Sequence, residues 1–329
     1  MKDKIKKTVE LFSISVKISC SFGLKAGSYD FLKNFVFRKN NGLGKKIYTK
    51  KYEHAKKIIL NSYDENIPSF NSIEMEKISK DSPIWFFWWQ GINENTPKVV
   101  LDCLENAKKY SGNHKIIVLH KENISKYIDL PNYYYEKINK KKFSLTFFSD
   151  LLRMELLYKY GGIWMDSTLL IESEFDQKIY QYSFYTIKHM NFCDWHVSMG
   201  LWSGFFIATI KKNPLIKYVR DCFREYVKNE NVLIAYLLID ILLSNAYFKS
   251  SSVQEMINCI PRNNENVFLL DSIGNETYCE NEYNKRFDKT YLHKLHWKRE
   301  FNNYTKDEII SNYGHVLQER DITHEKYKK

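Results

Sequence analysis

Four polar side chains, Asp150, Arg153, Tyr158 and Asp166, stand inside an otherwise apolar stretch, Phe147 to Ile171 (FFSDLLRMELLYKYGGIWMDSTLLI). Asp150 and Arg153 are three residues apart, so on a helix they share a face and can pair. Asp166 interrupts a short apolar run, where a carboxylate is costly to desolvate unless it is paired or holds a cation. One guanidinium and two carboxylates on a helix–turn–strand frame suit the binding of a sugar nucleotide. Asp166 would then sit where a metal-diphosphate lies. The bland alternative makes Asp150 and Arg153 a surface ion pair and Asp166 a turn cap. The order of all four residues on one frame favours a site.

The elements that must position them can be read in the same stretch. From Asp150 onward Leu151, Leu152, Met154, Leu156 and Leu157 fall at near-helical spacing. Ser149 suits the N-cap, with Asp150 in the first turn favoured by the helix dipole. Gly161 and Gly162 stop the helix. Ile163 to Ile171 then predicts a strand buried on both faces. Upstream, Ser82-Pro83 opens the region and Ile84 to Trp89 predicts a buried first strand. Trp88, Trp89, Gln90 and Gly91 fall at its carboxyl end, where open α/β sheets bind ligands; either tryptophan would serve equally as core. Pro97 to Tyr110 predicts a helix with Val100, Leu101, Leu104 and Ala107 inward. His114 to His120 predicts a second buried strand. Tyr127 to Lys142, with Tyr133, Tyr134 and Tyr135, predicts a partly exposed connection.

Further along, Trp202-Ser203-Gly204 precedes an apolar strand, Phe205 to Ile210, and Gly204 would let a backbone approach a ligand closely. Asp240 is the one acid in an apolar helix predicted over Leu233 to Leu243. A buried acid of that kind is a functional candidate, with a helix-end or interhelical hydrogen bond as the alternative. Asp194 and His196 lie in the loop before Trp202 and are candidates to reach an acceptor. His293, Lys294, His296 and Lys298 form a cationic cluster, either a solvated face or a partner for an anion.

Three blocks carry a resemblance: Pro83 to Gly91 (PIWFFWWQG), Phe148 to Thr168 (FSDLLRMELLYKYGGIWMDST) and Leu201 to Thr209 (LWSGFFIAT). The last is followed by YLLID, Tyr236 to Asp240, and a weaker match lies at His293 to Lys298. In this order they resemble the bacterial capsular polysaccharide synthesis protein family. That family is similar to the sugar transferases with a DXD motif, including yeast α-mannosyltransferases. The resemblance implies a GT-A-type α/β fold, a Rossmann-like mixed sheet flanked by helices. This domain would span residues 81–300, between a mostly helical N-terminal extension (1–80) and a C-terminal tail (301–329). It implies transfer of a sugar from a nucleotide-sugar donor, expected to be UDP-linked, to a growing lipid-linked or polymeric saccharide with retention of configuration. Asp150, Arg153, Asp166 and Asp240 take the catalytic positions. Trp88, Trp89, Gln90, Gly91, Ser149, Tyr158, Gly162, Trp202, Ser203, Gly204, His293, Lys294 and Lys298 take the donor-binding ones, the late cations facing the diphosphate. One departure matters. The motif's second acid is absent, since Asp166 is followed by Ser167 and Thr168. Asp166 alone would hold Mn²⁺ or Mg²⁺, which Mg²⁺ tolerates because it often takes only one or two protein carboxylates. The alternative is a non-catalytic relative that binds a glycan or a partner.

Composition agrees with an enzyme core. The 329 residues, 44% of them hydrophobic and 16% aromatic, allow one large or two medium domains. A net charge of +11 suits anionic partners: sugar nucleotides, lipid-linked pyrophosphates or an anionic membrane face. Basic residues occur along the whole chain, with clusters such as Lys140-Lys141-Lys142, and no nucleic-acid-binding signature stands out. The six cysteines, Cys20, Cys103, Cys193, Cys222, Cys259 and Cys279, show no metal spacing and predict free thiols in a reducing, cytoplasmic compartment. The N-terminus is basic to Lys7, and Leu11 to Gly23 is mildly apolar but broken by serines. Ile5, Val9, Phe12, Val16 and Cys20 share a helical face, which suits an amphipathic helix on a membrane surface. Phe12 to Phe22 also alternates apolar and polar as a half-buried strand would.

Overall fold

A run as apolar as Ile84–Phe87 belongs in the middle of a sheet, and there it lies, buried along its length. The computed structural model describes residues 2–63, 67–71 and 75–318. Helices α1 (Lys2–Phe22), α2 (Leu24–Phe31) and α3 (Gly42–Tyr63) come first, with a π-helical stretch (Leu32–Val36) between the last two. Then follow β1 (Ile84–Phe87), α4 (Lys98–Tyr110), β2 (Ile116–Leu119), α5 (Asn132–Asn139), α6 (Leu145–Tyr160), β3 (Gly162–Asp166), β4 (Leu169–Ile171), β5 (Phe184–Thr186) and β6 (Phe206–Thr209). The chain continues through α7 (Pro214–Asn229), α8 (Leu238–Lys249), α9 (Ser251–Asn258), α10 (Leu269–Ile273), α11 (Glu280–Arg286) and β7 (Leu292–Lys294).

The five-stranded sheet runs β2-β1-β3-β6-β5, and β4 pairs with β7 in a separate two-stranded sheet. Strands β2, β1 and β3 are parallel; β6 pairs antiparallel with β3 and β5 antiparallel with β6, so β6 alone runs against the others in the five-stranded sheet. This is a mixed α/β sheet flanked by helices, with a helical region before it. Phe87 registers against Asp166, so β1 and β3 end together and their carboxyl ends open on one crevice.

Several element boundaries differ from the sequence expectation. The N-terminal segment is helical, not a strand. Ser149 is not the cap of α6. The cap is Ser144, whose side chain accepts from Phe147 N at 3.2 Å; Leu145 to Phe148 are themselves helical and pull the start back a turn. Ile163 to Ile171 is not one strand. The chain turns at Ser167-Thr168, and β4 leaves for the second sheet. Helix α8 starts at Leu238, so Asp240 occupies its first turn, where the dipole favours an acid. β2 is half-buried because it is a sheet edge.

Gly161 and Gly162 both have positive φ, 67° and 94°. A Cβ on Gly161 would lie 2.6 Å from Lys211 N, and one on Gly162 would lie 2.3 Å from Pro83 O. Glycine is thus required where α6 turns tightly into β3. Beyond residue 300, Phe301, Tyr313, Val316 and Leu317 are buried in one cluster with Val99, Val100 and Leu104 of α4.

Helix α6 is buried almost all round, and a carboxylate at Glu155 has to be matched. Arg224 of α7 supplies Nε at 2.6 Å and Nη2 at 2.7 Å, and Tyr134 of α5 approaches at 3.4 Å. The two partners are not equivalent: Glu155 is 2% exposed, while Arg224 is 40% exposed and can turn to water. Arg224→Ala should therefore cost about 3 kcal/mol by leaving a buried carboxylate unpaired. Glu155→Met should cost clearly less. Urea unfolding of both variants checks the asymmetry, and equal losses would contradict it.

Candidate active site

The carboxyl ends of β1 and β3, the first turns of α6 and α8 and the β4–β7 ribbon surround an open cleft of about 710 Å³. At its floor lies Asp166, last residue of β3. Arg153 Nη2 donates to its Oδ1 at 3.0 Å, and the Trp164 indole donates to the same oxygen at 2.9 Å. Lys294 Nζ donates to Oδ2 at 2.8 Å and to Thr168 Oγ1 at 2.6 Å. Arg153 also reaches Asp150 Oδ1 with Nη1 at 3.0 Å, and its guanidinium lies over the Trp164 ring at 4.9 Å. Its buried Nε has no partner among the described residues.

Register explains how this set assembles. Leu169 pairs with Lys294, and Leu170 pairs with His293. Side chains alternate along a strand, so only one of the two late cations can face the cleft. It is Lys294. His293 is fully buried on the other face, with Nε2 on Glu172 at 3.0 Å. Gly204 makes room for the guanidinium, since a Cβ there would meet Arg153 Nη1 at 3.0 Å.

The acids differ because their neighbours differ. Burial pushes the Asp166 carboxyl up, but Lys294 and Arg153 together pull it below its ordinary value. Burial raises Asp150 to about 6 against the pull of Arg153, with Asp166 adding repulsion. Asp240 is raised furthest, to about 7, by burial and then by Asp150; its Oδ1 accepts the Trp202 indole N–H at 2.9 Å. His189 and His196, also on the cleft wall, are both held down at about 4 by burial and stay neutral near pH 7.

Of the residues expected from sequence, the cleft wall holds Trp88, Trp89, Gln90, Ser149, Asp150, Arg153, Asp166, Trp202, Ser203, Gly204, Asp240 and Lys294. It also holds His196 and His296. The others lie elsewhere. Gly91, φ 74°, forms the turn after β1 and packs near His120. Tyr158 stacks under the Arg220 guanidinium at 3.7 Å. Gly162 sits against Pro83, His293 pairs with Glu172, and Lys298 is exposed with Nζ 5.0 Å from the Trp297 ring. Asp194 is exposed and bonds Lys45.

The sequence reading passed over Tyr236, Phe192, Trp195, Phe268, Trp297 and Asn40, all on the wall. Phe192 stands 5.5 Å from Trp195 and 5.8 Å from Phe268, and Trp88 stands 6.0 Å from Trp297. Isolated aromatics in loops carry no periodic signal. Only the open loop around His196 hinted at them.

A divalent cation does not suit this donor set. Both oxygens of Asp166 already accept from cations, and Thr168, at the place of the motif's second acid, is held by Lys294. Among the described residues no group of three or more His, Cys, Asp or Glu is arranged to hold a metal. A Mn²⁺ or Mg²⁺ at Asp166 would have to share that carboxylate with Arg153 and Lys294.

One solved structure with a similar fold is the PaToxG Glycosyltransferase, 17% identical, covering 77% of this chain and 100% of that chain with a TM-score of 0.37, an overlap too loose to argue from. No curated protein sequence matches significantly. The profile described as Capsular polysaccharide synthesis protein matches residues 36–313, which include every cleft residue named above. On that match the chain belongs to the capsular polysaccharide synthesis protein family.

Proposed function

We propose that the protein is a retaining glycosyltransferase that moves a sugar from a nucleotide-sugar donor to a growing capsular or cell-surface saccharide. One observation carries the proposal: Arg153 and Lys294, from distant parts of the chain, converge on one carboxylate at the carboxyl end of the sheet. Breaking a sugar–phosphate bond leaves charge on the diphosphate, and fixed cations stabilise it most in the transition state. Trp88, Trp89 and Gln90, beyond β1, are placed to hold the base. Asp166 keeps the two cations in position. Asp150 and Asp240 face the donor sugar, and Asp240 near neutrality can donate as well as accept a hydrogen bond. Phe192, Trp195 and Phe268 offer flat apolar faces to the CH side of a saccharide acceptor. The acceptor hydroxyl then attacks from the leaving-group side, which asks for no separate strong base.

In this reading Lys294 does the work a divalent cation would do, and donor binding is independent of metal. Thermal stabilisation by a panel of nucleotide sugars, with EDTA or with Mn²⁺, tests it. A ligand at about 100 times its dissociation constant adds roughly 2.7 kcal/mol. One donor should stabilise the wild type equally in EDTA and in Mn²⁺, and Lys294→Met should abolish the shift. A shift that appears only with Mn²⁺ would overturn the metal-free reading while keeping the transferase. No shift with any donor, and no transfer, would favour a non-catalytic glycan-binding relative.

Asp240 gives a second expectation. Its folded pKa is raised above the unfolded value, so ionisation destabilises the fold. The penalty is absent below about pH 4 and complete above about 7. Asp240→Asn should therefore melt higher than wild type at pH 8 and no higher at pH 4, while transfer is lost. A pH-independent difference in melting would show that Asp240 is not held protonated.

A further inference from the structure

The basic charge is not evenly shared. Residues 1–50 contain twelve Lys and Arg against three acids, whereas the other 279 residues contain 38 against 36. This basic segment is the α1–α2 hairpin, the π-helical stretch and the start of α3. The hairpin is anchored firmly. Ser15 Oγ donates to the buried Asp30 at 2.6 Å, Lys51 pairs with Asp30 at 2.6 Å, and Phe22 stacks on Tyr226 of α7. The face of α1 that does this packing is Leu11, Ser15, Ile18 and Phe22.

A second apolar stripe of α1 points outward. Val9 is 61% exposed, Phe12 53% and Val16 46%. Phe12 meets Phe31 and Phe35 edge-on at 6.2 and 6.5 Å, which extends the apolar face across the hairpin. At helical spacing Lys6 and Lys17 border one side of this stripe, with Glu10 next to them, and the packed face borders the other. Among the described residues neither these nor Lys7, Lys25 or Lys39 makes an ion pair. An outward apolar stripe bordered by unpaired lysines is the pattern of a helix lying in a membrane interface. No helix among the described residues is long and apolar enough to cross one.

We infer that the α1–α2 hairpin docks the protein on an anionic lipid surface, with Val9, Phe12 and Val16 entering the headgroup boundary and the lysines facing lipid phosphates. Charge complementarity selects the occupant: a second copy of this chain would bring the same cationic face against itself. The hairpin also leads into the active site, because Asn40, directly after Arg38-Lys39, lines the cleft. Resting on the transferase reading, this places the cleft mouth where a lipid-linked saccharide would be presented.

The test is co-sedimentation of the full chain with vesicles of phosphatidylcholine alone or mixed two to one with phosphatidylglycerol. The chain should pellet with the anionic vesicles only. Lys6→Glu with Lys17→Glu should weaken that by at least ~30-fold, about five-fold for each lysine lost. Phe12→Ser with Val16→Ser should also release it, with unchanged melting temperature and unchanged transfer to a water-soluble acceptor. Absence of anionic-vesicle binding would overturn the inference even if transfer is intact. So would a dimer that dissociates in the Phe12→Ser, Val16→Ser variant while neither protein binds vesicles. Vesicle binding without sugar transfer would leave docking standing and remove the transferase reading instead.

Discussion

Everything in the cleft depends on one carboxylate held between two cations. Asp166 is buried enough to need both Arg153 and Lys294, and each comes from an element that must be placed independently. Arg153 comes from α6, whose start is set by the Ser144 cap and whose flank is clamped by Glu155 and Arg224. Lys294 comes from β7, which reaches Asp166 only because β4 pairs with it in register. A one-residue slip in that ribbon would turn His293 to the cleft and bury a lysine, so register is fixed by charge as well as by packing. The consequence is a preorganised pair of positive charges that an incoming anion need not assemble.

The parts legible in the sequence were those with strong local signals. The strand Ile84–Phe87, the Gly161-Gly162 stop and the Asp150–Arg153 face follow from composition and spacing, and the structure contains all three. The break at Ser167-Thr168 was hidden because the apolar run resumes at once and looks like one strand. Lys294 could not be separated from His293, since adjacent residues differ only in which face a distant pairing assigns them. Asp240 was marked by its isolation among apolar residues, but its partner Trp202 and its place at a helix start depend on tertiary contacts. Tyr158, a polar residue on the same frame, instead packs under Arg220 because it sits in the last turn of α6, away from the cleft end.

The site carries an electrostatic cost that packing alone would not have imposed. Asp150 and Asp240 both ionise with difficulty because they are buried, and Asp150 further raises Asp240 while Asp166 further raises Asp150. Replacing them with apolar residues would relieve that burden, which is the usual relation between stability and a working site. Their position beside a cationic pair explains what they can do: on the proposed reading they orient hydroxyl groups, Asp150 while sharing Arg153 with Asp166 and Asp240 without touching either cation.

The absence of a second acid at residue 168 and the presence of Lys294 are linked by one contact, Lys294 Nζ to Thr168 Oγ1. An acid at residue 168 would place another carboxylate beside Asp166, and a divalent cation would then be needed to hold both. With Thr168 there instead, one carboxylate remains, and Lys294 satisfies it while also bonding the threonine hydroxyl. On the proposed metal-free reading, Thr168 and Lys294 act as one unit that keeps positive charge beside Asp166 without a second acid.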